Sequence, residues 1–162
     1  FWPCLCCWCS GRFVGSLRET QERLATRHGA RKPMLLKIAP DLSEGEMDGI
    51  AQVLLAANID GLICTNTTID HSTVAGVRHA EETGGLSGKP LFEKATSILR
   101  GMSQRLAGKI PLIGVGGILS GADAAAKIAA GASLVQFYTG MVYRGPALIG
   151  ECVEAIRKRA AR

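Results

Sequence analysis

The chain has 162 residues, with 19 Lys and Arg against 14 Asp and Glu, and a formal net charge of +5. This length is enough for one domain with a buried core, and no apolar stretch reaches the roughly 18 residues that a membrane-spanning helix needs. The basic residues are scattered, apart from a cluster over residues 157–162 that suits the C-terminus of a helix. The charge pattern therefore does not indicate a nucleic-acid-binding protein.

Residues 1–16 differ in composition from the rest of the chain. They hold four of the six cysteines and both tryptophans. The four cysteines are too crowded for a C-x-x-C zinc or redox motif, so no metal site is predicted, and the features of a secretory signal are missing. We expect residues 1–16 to be non-native to the fold or disordered, with a metal-binding or palmitoylated tip as the alternative, and the domain to occupy residues 17–162. The remaining thiols, Cys64 and Cys152, are predicted to be reduced core residues.

A helix and a strand are the first predicted elements. A polar amphipathic pattern predicts a helix over residues 17–28 that is closed by Gly29, and the apolar residues 34–39 predict the first strand. Lys37 lies inside that strand, where a buried ammonium is costly unless it meets an anion or water. We therefore expect Lys37 to contact a negatively charged ligand, with a place at the rim of the sheet as the alternative.

The second strand is predicted to end in a run of polar side chains. Ser43 and Glu46 form a capping box that opens a helix through about Ala57, and residues 61–64 predict a short buried strand. The strand runs into Thr-Asn-Thr-Thr at 65–68. Amide and hydroxyl groups at the carboxyl end of a strand suit a planar polar ligand, although an Asx or Ser/Thr turn accounts for them about as well.

A long connection over residues 69–90 contains Gly-Gly-Leu-Ser-Gly at 84–88. Irregular connections of this length are uncommon unless they close over a site, and these residues suit a loop whose N–H groups face a ligand. A helix over residues 91–106 is predicted to follow.

The next stretch is predicted to be a strand, a glycine turn, a helix and a second strand. Residues 110–115 suit a strand buried on both faces, Gly116 and Gly117 allow close approach of the backbone, and Ser120 can cap the following helix. Free N–H groups and the positive end of that helix favour a phosphate, although a structural turn without a ligand is equally compatible with the glycines.

A strand over residues 133–137 ends in Tyr138-Thr139-Gly140, so two consecutive strand ends offer polar groups to one pocket. The last helix is predicted to begin at residues 145–146 and to bury an apolar stripe of Leu148, Cys152 and Ile156.

The alternation of four strands with helices predicts an α/β fold with a parallel sheet and right-handed crossovers. In a (β/α)8 barrel the phosphate site is commonly made by the loops after the last two strands, and a complete barrel needs roughly 250 residues. The sequence therefore predicts four β/α units, too few for a complete TIM barrel, whose last two strand ends look like the phosphate site of such a barrel.

Five motifs in chain order resemble those of the flavin-dependent dihydroorotate dehydrogenases, specifically the quinone-linked class 2 type. They are Lys-Ile-Ala-Pro-Asp-Leu at 37–42, Thr-Asn-Thr-Thr at 65–68, Gly-Gly-Leu-Ser-Gly at 84–88, Gly-Val-Gly-Gly-Ile at 114–118 and Tyr-Thr-Gly at 138–140. The resemblance runs from about residue 17 to the end and covers only the C-terminal half of the family's barrel. Class 1 relatives differ in the first three motifs.

The resemblance implies oxidation of dihydroorotate to orotate in the synthesis of pyrimidines (UMP), with a hydride passing to FMN and electrons passing to ubiquinone. The residues that it implies for FMN binding are Lys37, Thr65, Gly88, Gly116, Gly117, Tyr138 and Thr139. Asn66 and Thr67 are implied to hold the orotate ring. Lys37 would stabilise the negative charge of the reduced flavin, and Gly116, Gly117, Tyr138 and Thr139 would take the phosphate.

The resemblance assigns no catalytic residue to this chain. The general base of the class is a serine on a loop in the first half of the barrel, and Ser87 is not its match. The segment that docks on the membrane and admits quinone also lies upstream. The family implies a peripheral location at the cytoplasmic face of a bacterial inner membrane, or at the mitochondrial inner membrane in a eukaryote.

Two alternative functions stay open at this point. One is a non-catalytic half-barrel that at most binds FMN or phosphate. The other is a different flavin-dependent barrel oxidoreductase, such as one acting on dihydropyrimidine or dihydrouridine, although residues 65–68 together with 84–88 argue against it. Because four of eight strands leave two free edges and an open face, we expect the chain to be marginally stable, to dimerise or to aggregate.

Overall fold

The computed structural model describes residues 7–161, with side chains from residue 11 onwards. Strands and helices alternate as predicted, and among the described α-helices only the short α5 has no counterpart in the sequence prediction. The elements are α1 (Cys7–His28), β1 (Leu35–Ile38), α2 (Glu44–Ala56), β2 (Gly61–Cys64), α3 (Phe92–Leu106), β3 (Leu112–Val115), α4 (Gly121–Ala129), β4 (Leu134–Gln136), α5 (Thr139–Arg144) and α6 (Ala147–Ala160).

The four strands form one parallel sheet in the order β1-β2-β3-β4. Its register places Lys37 beside Ile63, Ile63 beside Ile113 and Ile113 beside Leu134, so these residues share one face. Because all four strands run the same way, their carboxyl ends lie along the same edge of the sheet. The polar and glycine-rich segments that follow the strands therefore meet at this edge.

The opposite face of the sheet carries the core. Leu62 of β2 is completely buried, as are Leu99, Met102 and Leu106 of α3. A smaller cluster includes Leu148 and Cys152 of α6, with Ile156 packed against it, which confirms the predicted stripe. Cys64 and Cys152 are buried free thiols, as predicted, and burial raises the pKa of Cys64 to about 12.

The face that carries Lys37 is open to solvent. In β1, Leu35 and Lys37 are exposed while Ile38 on the other face is buried, and Leu134 of β4 is 62% exposed. β1 and β4 are also the two edges of the sheet, each with one neighbouring strand. The sheet thus has one packed face, one open face and two free edges.

The first helix begins earlier than predicted. The α1 helix starts at Cys7, ten residues before the predicted start, and Val14 within it is only 3% exposed in the core. Packing of α1 against α2 explains the difference, because composition alone does not show which residues meet a neighbouring helix. The domain boundary after residue 16 stays a prediction, and residues 1–6 lie outside the described residues. None of the described helices combines the length and the apolar character that a membrane crossing requires.

Two predicted helix starts are confirmed in detail. The Ser43 N–H donates to Glu46 Oε2 over 2.8 Å, and Ser43 Oγ accepts from the Glu46 N–H, so the capping box is present. Ser120 Oγ accepts from the Asp123 N–H over 3.1 Å at the start of α4. These caps fix where the chain turns from each strand end into the next helix.

The open face predicts self-association that a charge on this face will weaken. Leu134→Asp places a carboxylate where a second copy would have to desolvate it, so the dissociation constant of the dimer should rise at least about tenfold. Val77→Asp is the matched control, because Val77 is also 62% exposed but lies in the connection after β2. Sedimentation velocity over a concentration series measures the change. A wild-type chain that stays monomeric throughout the series, or an equal effect of both variants, would contradict the prediction.

Candidate functional site

A cleft of about 320 Å³ opens at the carboxyl ends of the strands. All nine residues that the sequence analysis assigned to cofactor or substrate line this one cleft: Lys37, Thr65, Asn66, Thr67, Gly88, Gly116, Gly117, Tyr138 and Thr139. Sequence reasoning missed its apolar wall, which adds Leu91, Val115, Ile118, Leu119 and Phe137. Val115 and Ile118 belong to the motif at 114–118 and the other three lie close to a motif in the chain, and only the fold shows that all five face the same space.

Lys37 lines the cleft without being buried. Its side chain is exposed, and it has neither a hydrogen bond nor an ion pair within the part of the chain that the structure describes. Lys37 avoids the cost of burial because β1 is an edge strand and Lys37 lies on the open face, whereas its contact with a negatively charged ligand stays a prediction. Its charge is therefore available to an anionic group in the cleft without an internal partner to displace.

The turn after β2 combines a buried anchor with exposed polar groups. Thr65 is 1% exposed, and its hydroxyl donates to the Asn66 carbonyl over 2.9 Å. Asn66 Oδ1 accepts from the Thr67 N–H over 2.9 Å, so the Asx-type contact weighed in the sequence analysis is present. Asn66 Nδ2 donates to no other described residue. The same side chain can therefore shape the turn and offer its amide donors to a ligand.

A polar network behind this turn was not predicted. Lys94 of α3 contacts Asp41 Oδ1 at 2.9 Å and Asp70 Oδ2 at 2.8 Å, and the Thr68 hydroxyl donates to Asp41. Hydrogen bonds to Asp70 and Asp41 raise the pKa of Lys94. Burial acts to raise the pKa of Asp41, but hydrogen bonds from Thr68 and Lys94 outweigh it and lower that pKa. The network ties the turn after β1, the turn after β2 and α3 together.

The glycine-rich loop is attached to the turns after two strands. Thr68 and Leu86 exchange two backbone hydrogen bonds, at 3.1 and 2.8 Å. Thr139 Oγ1 donates to Ser87 Oγ over 3.0 Å, which links the loop to the residues after β4. Gly88 at the end of the loop is buried and lines the cleft. The loop thus spans the cleft between the ends of β2 and β4.

His71 cross-links the connection over residues 69–90 through both of its ring nitrogens. Its Nδ1 lies 3.0 Å from the Ala80 carbonyl oxygen and its Nε2 lies 3.1 Å from the Gly84 carbonyl oxygen. Both ring nitrogens can donate only in the imidazolium form, and these two hydrogen bonds raise the pKa of His71. The brace is therefore fully formed at acidic pH and weakens as the pH rises through the raised pKa.

The Gly116–Gly117 turn needs glycine for two reasons. Gly117 has φ +74°, and a Cβ atom there would lie 2.5 Å from Phe92 Cα, so the turn rests directly on the start of α3. Within the described residues, the N–H groups of Gly117, Thr139 and Gly140 donate to no protein acceptor. These N–H groups come from the turns after β3 and β4 and lie on the same cleft. Such a set of free N–H donors is suited to an anion.

The helix after the turn does not contribute to an anion site as predicted. Two N–H groups in the first turn of α4 have partners within the chain: Gly121 donates to Glu151 Oε1 over 2.8 Å and Asp123 donates to Ser120 Oγ over 3.1 Å. Leu119, which precedes the helix, donates to Asp123 Oδ2 over 3.0 Å. Two carboxylates already satisfy the positive end of the helix, so its dipole is compensated within the chain. The anion donors are the glycine turn and the residues after β4.

Comparisons with known proteins agree with this geometry. The sequence profile of the family described as Dihydroorotate dehydrogenase matches residues 11–159. This chain belongs to the dihydroorotate dehydrogenase family. It is 60% identical over 148 residues to the dihydroorotate dehydrogenase (quinone) of Stenotrophomonas maltophilia strain K279a, covering 91% of this chain and 42% of the relative. A protein of the same name from Xanthomonas campestris pv. campestris strain B100 is also 60% identical over 148 residues, with the same coverage of both chains.

Solved structures support the same family and the predicted fold. The crystal structure of the Eimeria tenella dihydroorotate dehydrogenase in complex with ferulenol superposes with a TM-score of 0.84 and 35% identity over 90% of this chain and 42% of that chain. A ligand-free structure of the same enzyme gives a TM-score of 0.75 and 42% identity over 79% of this chain and 36% of that chain. The predicted quinone-linked type and half of a TIM barrel are thereby confirmed. The chain spans about two fifths of the length of these relatives.

The contact of Gly117 with α3 predicts a large stability cost for Gly117→Ala. The added methyl group meets backbone atoms of Phe92 and the residue has positive φ, so unfolding should become easier by about 3 kcal/mol. Gly45→Ala in α2 is the control, because a Cβ atom there meets nothing within 4 Å and alanine is favoured in a helix. Urea denaturation measures both. Equal midpoints for the two variants would show that the turn does not rest on α3.

Proposed function

We propose that this chain provides the flavin-binding and orotate-binding part of a quinone-dependent dihydroorotate dehydrogenase, which oxidises dihydroorotate to orotate in pyrimidine synthesis. The observation that carries the proposal is the convergence of nine residues from five separate motifs on one cleft. Membership of the family supports the reaction type. The flavin, when bound, would accept the hydride and pass on the electrons, and the residues of this chain would bind and orient it.

The residues of the cleft fit FMN by their chemistry. The free N–H groups of Gly117, Thr139 and Gly140 suit its phosphate, together with the side chain of Tyr138. A Cβ atom at Gly117 would meet Phe92, so glycine lets the turn pack directly on the start of α3 and keeps its N–H group in place beside the cleft. Thr65 and Gly88 would flank the ring system, and the unpaired Lys37 ammonium would stabilise negative charge on it.

Asn66 and Thr67 would hold the substrate. Both side chains are exposed on the cleft, and the free Asn66 Nδ2 group can donate to a carbonyl of a planar ring. The network of Asp41, Thr68 and Lys94 behind the turn would keep these two residues in place. These three residues act as positioning residues and do not themselves line the cleft.

The chain alone is expected not to complete the reaction. Among the described residues, those that line the cleft include no carboxylate, histidine or cysteine, and the Ser87 hydroxyl accepts a hydrogen bond from Thr139. The general base would come from the part of the relatives that this chain does not span. This observation favours the second candidate function, a non-catalytic half-barrel that binds FMN or phosphate, for the chain taken by itself.

Ubiquinone and the membrane would likewise be met by the other part of the whole protein. We place that protein peripherally at the cytoplasmic face of a bacterial inner membrane, or at the mitochondrial inner membrane in a eukaryote. The exposed apolar residues on the open face of the sheet support self-association of the chain by itself. No nucleic acid is proposed as a partner.

The visible absorption spectrum tests cofactor binding directly. The chain is incubated with FMN, desalted and scanned, and retained flavin is expected. Lys37→Ala should weaken FMN binding about tenfold, equal to roughly 1.4 kcal/mol, because a charged contact to the flavin is lost. Lys109→Ala is the control, since Lys109 is exposed and distant from the cleft.

Addition of dihydroorotate then separates the two candidate functions. Retained flavin that is not bleached by dihydroorotate supports a binding part that lacks the base. Bleaching of the flavin would show that the chain is catalytically complete. A colourless wild-type chain would contradict the assignment of a cofactor site to these residues.

A further inference from the structure

Lys127 is buried completely in the last turn of α4. Its exposed fraction is 0%, and it is the largest side chain that the fold buries to this extent. Burial in apolar surroundings lowers the pKa of Lys127 to about 8. A wholly buried ammonium is rare unless it has a partner or a task, and Lys127 does not line the cleft.

The fold makes room for this side chain. A Cβ atom at Gly114 of β3 would lie 2.9 Å from Lys127 Cβ and 3.1 Å from Ala132 Cβ, so glycine at position 114 leaves the space that Lys127 occupies. The lysine stem therefore packs against β3 at Gly114, two residues before the turn that begins at Gly116. Its burial is built into the motif Gly-Val-Gly-Gly-Ile at 114–118.

The ammonium group of Lys127 contacts Phe92, the residue on which the Gly116–Gly117 turn packs. Lys127 Nζ lies 3.5 Å from the Phe92 carbonyl oxygen and 4.8 Å from the centre of the Phe92 ring. On its other side, the backbone of Phe92 supports Gly117, since a Cβ atom at Gly117 would lie 2.7 Å from Phe92 N. Phe92 therefore lies between the buried ammonium of Lys127 and the Gly116–Gly117 turn.

The charge of Lys127 is not neutralised by a close partner. The ionisable groups that face it are Asp123 from α4, Glu93 from α3 and the Cys64 thiol from β2, and none of them is within ion-pair distance among the described residues. Asp123 is already engaged by Lys89 Nζ at 2.9 Å and by the Leu119 N–H. Cys64 stays a thiol because burial raises its pKa to about 12.

We propose that Lys127 is a positioning residue of the phosphate site, whose buried ammonium fixes Phe92 behind Gly117 and supplies the positive charge that favours a dianionic phosphate monoester at the turn. The inference rests on the proposed function, because it assumes that the cleft binds the phosphate end of a flavin nucleotide. It adds a reason why the site would distinguish FMN from riboflavin. A residue that only filled space would affect both flavins equally.

The titration of Lys127 itself is measured by NMR on the whole chain with ¹³Cε-labelled lysine, with its signal identified from Lys127→Met. Inorganic phosphate is the probe. The midpoint of titration is expected near 8 without phosphate and about one pH unit higher with phosphate, because a nearby anion favours the ammonium. A midpoint that phosphate does not move would overturn the proposal.

Flavin affinities give the second readout, by fluorescence titration with FMN and riboflavin at pH 7.5. Wild-type FMN binding is expected to weaken between pH 7.5 and 9 as Lys127 loses its proton. Lys127→Met should weaken FMN binding about tenfold at pH 7.5, leave riboflavin binding unchanged and remove that pH dependence. Lys109→Met is the control and should change none of these. Equal losses for both flavins, or no loss for FMN, would overturn the proposal.

The two readouts separate this proposal from the proposed function. If Lys127→Met does not change FMN affinity, the proposed cofactor site is supported and the role of Lys127 is refuted. A phosphate-dependent shift of the Lys127 signal in a chain that binds neither flavin supports the role of Lys127 and refutes the flavin site. A chain that binds neither phosphate nor flavin refutes both.

Discussion

The site depends on the parallel pairing of four short strands. Residues separated by long stretches of sequence reach one cleft because β1, β2, β3 and β4 run in the same direction and end at one edge of the sheet. Each strand has only three or four residues, so the segments after them must be held by further contacts. Those contacts are the Lys94 network, the Thr68–Leu86 bridge and the Thr139–Ser87 hydrogen bond. Pairing brings the segments together, and these contacts keep them there.

The open face and the two edge strands of the sheet explain why the cleft is covered on one side only. Its open face exposes Leu35, Lys37 and Leu134, and its two edge strands have one neighbour each. The relatives that the chain matches are more than twice as long, and the chain covers 42% of them. A phosphate end walled by β3, β4 and α3 can be complete within the chain, whereas a flavin ring and its substrate would be covered on one side only. Under the proposed function, cofactor binding and catalysis would therefore depend on different parts of the polypeptide.

Much of this could be predicted from the sequence. Local sequence patterns were enough to predict the order of strands and helices, the capping box at Ser43 and the buried thiols. Each of these features depends on residues that are close together in the sequence or on their apolar surroundings. The start of α1, the exposure of Lys37 and the closure of the α4 N-terminus by Asp123 and Glu151 could not be predicted, because each depends on which segments lie side by side. Lys127 shows the same limit, since its burial requires the space that Gly114 leaves on a different element. The nine site residues came from a family resemblance, and the fold shows only that they share a cleft.

The proposed function requires the turns after β3 and β4 to bind the phosphate of a flavin nucleotide together. Hydrogen exchange of the individual Gly117, Thr139 and Gly140 N–H groups, followed by NMR with and without FMN, tests it most directly. These three N–H groups are expected to exchange fast in the free chain and to become protected on addition of FMN, while the Gly121 N–H, already bound to Glu151, changes little. Protection of Gly121 alone, or no protection at the three free N–H groups when FMN is bound, would contradict it.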